Sequence, residues 1–265
     1  MNAAMLAELE ALLAMAQAAF LGGIAVFARI GAAFAVMPAF GERVVPGRVR
    51  LVMALAMAMV VAPAVQDRVA LPQGGPVALA GFLTVEVAVG LSLGIGLRLL
   101  VMALQVAGSM AAQATSLAQF FGGAGVDPQP AMSQLLVMAG LALLVMAGLP
   151  EQAAIFLILS YELLPAGQWP DGGAMAEWGV ARVSYAFALA FMLAAPFLIG
   201  ATLYNLALGA INRAMPQLMV AFIGSPAVTF GGLFLLMLTA PVMLGVWLRA
   251  VGSFLDNPGG LESMP

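Results

Sequence analysis

The chain contains no cysteine, no histidine and no lysine, and charged residues make up only 8% of its 265 residues. The lack of cysteine excludes disulfides, thiol catalysis and Fe–S or cysteine-zinc sites. The lack of histidine removes the commonest general base and metal ligand. A net charge of −3 argues against a nucleic-acid partner, which would require a basic patch.

The polar residues that are present do not form a catalytic constellation. Ser109 and Ser160 have no histidine to activate them, and the carboxylates do not cluster at the spacing of metal ligands. The sequence therefore predicts a protein without enzymatic activity, metal or cofactor.

Apolar residues dominate instead, at 64% of the chain, whereas soluble domains average about 45–50%. A helix needs roughly 20 apolar residues to cross a bilayer core of about 30 Å. We therefore expect one all-α membrane domain over residues 1–265 with about six apolar helical segments. The main apolar runs are 12–37, 50–65, 77–105, 131–149, 180–207 and 218–250. A shorter run, 151–164, is typical of a re-entrant or interfacial piece.

Prolines and glycines interrupt or border these runs, which predicts broken helical hairpins. Broken helices survive at membrane depth only where protein or a water-filled cavity satisfies the freed backbone groups, so the pattern favours a transmembrane passage. The third run continues towards Phe121 and is too long for one bilayer crossing, so we expect a bend or break near Gly94–Gly96 and Gly108. Gly90 and Gly94 form a pair of small residues that predicts close helix packing.

Two stripes of polar residues are candidates for the lining of that passage. The first falls within about 120° of a helical arc and consists of Gln105, Ser109, Gln113, Ser116 and Gln119. A stripe without charge suits a wet passage that must not hold its cargo tightly, and hydrogen bonding between helices is the alternative. The second stripe contains Thr202, Asn205, Gly209, Asn212 and Arg213. The end of a helix near the membrane interface explains this second stripe equally well.

Three charges lie inside apolar runs: Arg29, Glu86 and Arg98. Charges at membrane depth are costly and usually face a partner or a cavity. Arg29 and Glu86 lie on different predicted helices and are the obvious pair. The alternative is that Arg29 and Arg98 reach an interface at the ends of their helices. Met110 and other methionines could seal gaps near the glycine-rich loop, or simply fill the core.

These features together resemble the FliR/SctT family of type III export gate proteins. The resemblance covers some 200 residues and depends on the order and spacing of its motifs. The first half carries Arg29-Ile30-Gly31, Pro38, Gly41, Pro46, Arg48, Pro63, Glu86, Gly90, Gln113–Phe121 and Asp127-Pro128. The second half carries Ser160-Tyr161, Pro165, Asn205, Gly209, Arg213, Pro216-Gln217, Phe222, Gly224 and Pro226. The chain departs from the family pattern at Met219 and at Leu149-Pro150-Glu151.

The resemblance implies a subunit of the export gate at the centre of the basal body in the bacterial inner membrane, flagellar in preference to virulence-type. Such subunits join FliP-like and FliQ-like subunits, with an FlhB-like subunit attached, and unfolded exported proteins thread through the assembly. They sit partly above the lipid as bent hairpins. The resemblance also implies that the segment at about 109–130 forms a plug loop in the pore. This segment contains Phe120, Phe121, Gly122 and Gly123.

The main alternative is an ion-coupled small-molecule transporter built on discontinuous helices. That alternative predicts internal repeats and a charged substrate site at the bilayer midplane. The sequence shows no convincing repeat, and Glu86 is its one candidate coupling carboxylate.

Overall fold

The computed structural model describes residues 3–115, 131–215 and 220–260, and all of the regular structure in these ranges is helical. The all-α prediction is therefore confirmed for the described part of the chain. The helices are α1 (Ala3–Val36), α2 (Gly47–Val65), α3 (Gly75–Ala114), α4 (Ala131–Met146), α5 (Leu149–Leu163), α6 (Gly172–Ala214) and α7 (Val220–Asp256), with a 3-10 turn at Gln66–Arg68.

Helix α3 is the centre of the molecule. It packs against α1, α4, α6 and α7, and one hydrophobic cluster runs through the buried faces of these helices. Trp247 of α7 is fully buried and donates its indole N–H to the carbonyl oxygen of Leu100 at 2.7 Å. A buried indole nitrogen needs such a partner, so this bond fixes how α7 sits on α3.

Gly90, Gly94 and Gly108 of α3 are places of close approach, and α3 is not broken at any of them. A Cβ at Gly90 would collide with the carbonyl oxygen of Arg29, and one at Gly94 would lie 2.6 Å from the carbonyl oxygen of Ala33. A Cβ at Gly108 would lie 2.5 Å from the Cα of Ser133. Of the bend or break expected near Gly94–Gly96 and Gly108, the break is therefore absent. These glycines admit neighbouring backbones, and the helical hydrogen bonds continue through them.

Helices α4 and α5 form a bent pair. They meet at an angle of 75° across a short break. Gly148 stands at this break with φ +86°, a left-handed conformation that favours glycine, and Pro150 begins α5. The expected re-entrant or interfacial piece at 151–164 corresponds to α5, the second arm of this pair.

Several prolines lie inside continuous helices. Pro63 is within α2, Pro196 within α6 and Pro241 within α7. Neighbouring helices and local adjustments can satisfy the backbone groups that a proline frees in a membrane helix. The chain turns elsewhere, at 37–46, at Ala147-Gly148 and at 164–171.

Five helices in the described ranges are long and apolar enough to cross a membrane, and the α4–α5 pair could supply a sixth span. This agrees with the expected number of about six. Helix α3 has 40 residues and α6 has 43, which correspond to about 60 and 65 Å. Both exceed a hydrocarbon core of about 30 Å, so parts of them tilt strongly or extend beyond the lipid.

We expect Gly90→Ala to destabilise the protein, because its methyl group would separate α1 from α3. Overpacking of this kind costs about 1–3 kcal/mol or more. Gly81→Ala, on the exposed side of the same helix with nothing within 4 Å, is the matched control. It should be neutral or slightly stabilising, since alanine is the better helix former. Thermal unfolding of both variants in detergent, followed by circular dichroism, makes the comparison, and equal midpoints would contradict it.

Candidate functional site

The most unusual feature of the interior is a buried ion pair between α1 and α3. Arg29 and Glu86 are both 0% exposed. The Nε of Arg29 donates to one carboxylate oxygen of Glu86 at 2.8 Å, and an Nη donates to the other at 3.2 Å. This is the two-pronged geometry in which an arginine–carboxylate pair is strongest. The predicted pair is therefore present, and the Arg29 side chain lies wholly inside the protein.

The remaining donors of Arg29 bind the end of α5. One Nη donates to the hydroxyl of Ser160 at 3.1 Å, and the other donates to the carbonyl oxygen of Leu164 at 3.0 Å. The guanidinium also lies over the ring of Tyr161, at 3.7 Å from its centroid. We call Arg29, Glu86, Ser160 and Tyr161 the arginine junction, because they join α1, α3 and α5.

The connection after α5 completes the junction. The backbone N–H of Gly167 donates to Glu86 at 2.9 Å, so Glu86 accepts hydrogen bonds from Arg29 and from the 164–171 connection. The hydroxyl of Ser160 in turn donates a hydrogen bond to the carbonyl oxygen of Leu157 at 2.6 Å. A buried charge is tolerable only when paired and hydrogen-bonded, and both charges here are. The arrangement holds α1, α3, α5 and the 164–171 connection together.

Arg98, the third charge within an apolar run, pairs differently. It binds the carboxylate of Glu42, in the connection between α1 and α2, and its side chain is 37% exposed. Arg50 donates to the carbonyl oxygens of Phe40 and Glu42, at 3.1 and 3.0 Å. Arg98 therefore tethers the α1–α2 connection to α3.

The first polar stripe is only partly described. Ser109 donates to the carbonyl oxygen of Gln105 at 3.0 Å, and Ser133 of α4 donates to the same oxygen at 2.8 Å. Gln105 and Ser109 are half-buried, whereas Gln113 is exposed near the end of α3. Ser109 thus bonds within its own helix, and the bond between α3 and α4 uses the backbone oxygen of Gln105 and the hydroxyl of Ser133, which is not part of the stripe. Both explanations of the stripe stay predictions. Met110 is half-buried and packs against the core.

The expected plug-like loop at about 109–130 begins in a helix, since residues 109–114 are the last turns of α3. Ser116, Gln119, Phe120, Phe121, Gly122 and Gly123 lie outside the described residues. Thr115, the last described residue before the gap, packs closely against α7. A Cβ at Gly232 of α7 would lie 2.6 Å from its side chain.

The second polar stripe follows the outer surface of α6. Asn205, Gly209 and Arg213 are all exposed and line a groove of about 560 Å³ on this helix. Nothing lies within 4 Å of where a Cβ of Gly209 would stand. Pro216 and Gln217 lie outside the described residues. Gly224 and Pro226 belong to α7, which has no described side chains at these positions.

Sequence reasoning found the ion pair but missed what surrounds it. Neither the contact of Arg29 with Ser160, Tyr161 and Leu164 nor that of Arg98 with Glu42 follows from periodicity, because the partners are far apart in the chain. For the contacts of Arg29, the available signal was the Ser160-Tyr161 motif with Pro165, which is part of the family resemblance. Among the described residues, no group of three acidic, histidine or cysteine side chains could hold a metal.

Comparison with known proteins places these features in a family. Residues 20–254 match the model of the bacterial export proteins, family 1. The flagellar biosynthetic protein FliR of Caulobacter vibrioides is 33% identical over 238 residues, which are 87% of this chain and 93% of that protein. The FliR proteins of Aquifex aeolicus and Bacillus subtilis are each 28% identical, over 78% and 76% of this chain and 80% and 79% of their own lengths.

We expect Glu86→Gln to lower the free energy of unfolding by about 3–5 kcal/mol, because it leaves the buried Arg29 without a counter-charge. Arg68→Gln is the control. It breaks the pair of Arg68 with Glu162, whose side chains are 42% and 51% exposed, and should cost less than about 1 kcal/mol. Chemical denaturation in detergent measures both, and equal losses would show that the arginine junction is not a special anchor.

Proposed function

The chain belongs to the bacterial export proteins, family 1, and on that premise we propose that it works with FliP-like and FliQ-like subunits, and an attached FlhB-like subunit, in the inner membrane. It is a multi-pass membrane protein and a subunit of the flagellar type III protein export gate. The observation that carries the role is the 33% identity with FliR of Caulobacter vibrioides, over an alignment that covers 93% of that protein, in a chain whose helices are long and apolar enough to span a membrane.

The surface of the chain supports partners in such an assembly. Residues 5–20 of α1 are all exposed, including Leu12 and Leu13 at 63% and 61%. The outward faces of α6 and α7 expose Leu203, Phe230 and Met237 at 63–73%. Because α6 is much longer than a bilayer is thick, lipid does not cover all of this apolar surface. Helices of neighbouring subunits are the natural cover for the rest.

The polar stripe on α6 supports a place beside the passage for unfolded exported proteins. Asn205 and Arg213 are exposed on one side of the helix, and Ile211 is 45% exposed on roughly the opposite side. A polar side that faces a wet channel and an apolar side that packs on a neighbour would make one helix part of a channel wall. The plug role of the segment at about 109–130 stays a prediction from the family resemblance.

The transporter alternative has less support. Both carboxylate oxygens of Glu86 accept hydrogen bonds from this chain, so the candidate coupling carboxylate already holds α1 and the 164–171 connection to α3. A virulence-type gate subunit is the nearer alternative, but the relatives found are flagellar by name. The role needs no chemistry by this chain, which supplies part of a wall.

The first test is composition of the assembled complex. The tagged chain, co-expressed with the FliP-like and FliQ-like proteins of the same organism, should leave the membrane as one hetero-oligomer in mild detergent. Native mass spectrometry gives its subunits. A stable lone chain or homodimer under these conditions would overturn the proposed assembly and favour the transporter.

A second test separates the two sides of α6. Ile211→Glu should abolish co-purification, because a charge buried unpaired between subunits costs several kcal/mol. Asn205→Ala should leave the complex intact but lower export of flagellar proteins into the medium. Normal assembly of the Ile211 variant, or unchanged export by the Asn205 variant, would contradict the assignment of that side.

A further inference from the structure

The connection between α1 and α2, residues 37–46, is held rigidly from several directions. Arg50 binds two of its carbonyl oxygens, those of Phe40 and Glu42, and Arg98 binds the Glu42 carboxylate. Phe40 stacks on Phe34 of α1, with ring centroids 4.2 Å apart. The backbone of the connection is therefore fixed before it meets any partner.

Two arginines, one in this connection and one just after it, have no counter-charge. Arg43 lies within it and Arg48 lies in the first turn of α2, and both are exposed. Among the described residues neither forms an ion pair. The nearest acid in the chain, Glu42, is already bound by Arg98. Val44 stands between them in the chain and is 91% exposed, an unusual position for an apolar side chain.

The position of these residues relative to the apolar spans points to the boundary of the membrane. One candidate span ends at Val36 and the next begins at Gly47, so the connection lies at the ends of both. The outward surface of α2 becomes apolar directly after Arg48, with Val49 and Val52 exposed at 47% and 64%. Arginine at the water edge of an apolar helix is the usual arrangement at the level of lipid headgroups.

We propose that Arg43 and Arg48 bind the phosphate groups of anionic phospholipids, while Val44 inserts among the lipid chains. A guanidinium binds phosphate through paired hydrogen bonds as well as charge. Because the connection is already ordered, binding does not have to immobilise it, which removes a common cost of association. Arg43, Val44 and Arg48 would together anchor this end of the α1–α2 hairpin at an anionic leaflet, independently of the export role.

An acidic segment of a neighbouring protein is the other anion that two arginines could bind. Lipid fits better because the charges lie beside exposed apolar side chains at the ends of two spans. A protein segment would have to cover Val44 and the start of α2 as well. The test below separates the two.

The test compares two variants of the full chain that each remove two positive charges. One is Arg43→Gln with Arg48→Gln, and the control is Arg68→Gln with Arg249→Gln, all at exposed positions. Arg68 follows α2, whose 19 residues place it about 28 Å from Arg48. Purified protein in detergent is titrated with phosphatidylglycerol and, separately, with phosphatidylcholine, and native mass spectrometry counts the bound lipids.

Wild type and control should prefer phosphatidylglycerol. The Arg43 and Arg48 variant should lose about fivefold in affinity for each arginine removed, since each basic side chain near an anionic surface contributes about that factor. An equal loss in both variants, or none in the first, would overturn the proposal. Unchanged lipid binding with loss of co-purifying subunits would also overturn it, in favour of an acidic protein segment.

A second measurement does not depend on removing the arginines. The chain has no cysteine, so Val44→Cys gives a single site for a nitroxide label. In lipid nanodiscs containing phosphatidylglycerol, the label should be reached by oxygen in the lipid more readily than by a water-soluble nickel complex. A label that is fully accessible from water would overturn the insertion of Val44.

Discussion

The structure depends on one buried cation. Moving a guanidinium into an apolar helical bundle costs several kcal/mol unless its charge and its donors are satisfied. Arg29 meets that demand with a carboxylate from α3, a hydroxyl and an aromatic ring from α5, and a carbonyl oxygen beyond α5. Since its donors leave a flat group in fixed directions, three helices and a connection are placed relative to one another by one side chain.

Close contact between backbones determines which helices pack together in the rest of the interior. Apolar side chains alone do not tell a membrane helix which neighbour to choose, because lipid is as apolar as leucine. Gly90 and Gly94 bring α1 against α3 at the same level as the arginine junction, and Gly108 brings the start of α4 against the far end of α3. Packing and polar contacts thus specify the same pairs of helices.

The surface of the molecule, unlike its interior, leaves many apolar side chains exposed. The α1 segment 5–20 and residues 198–214 of α6 have no buried side chain, yet both carry large exposed apolar side chains. A chain with this division is stable as a scaffold around α3 and incomplete at its surface. That is the form expected of one subunit of a larger export apparatus.

The sequence by itself determined the helical membrane class and the number of apolar segments through composition and run length, and the Arg29–Glu86 pair through the high cost of burying charge. The family followed from a resemblance in the order and spacing of its motifs. The break expected at the glycines of α3 was wrong, since a glycine that breaks a helix and one that admits a neighbour look alike in a sequence. Only the tertiary structure decided that Ser160, Tyr161 and the 164–167 connection complete the arginine junction and that Glu42 receives Arg98. These contacts join residues up to 135 positions apart, and such partners are chosen by packing in three dimensions, which no local pattern records.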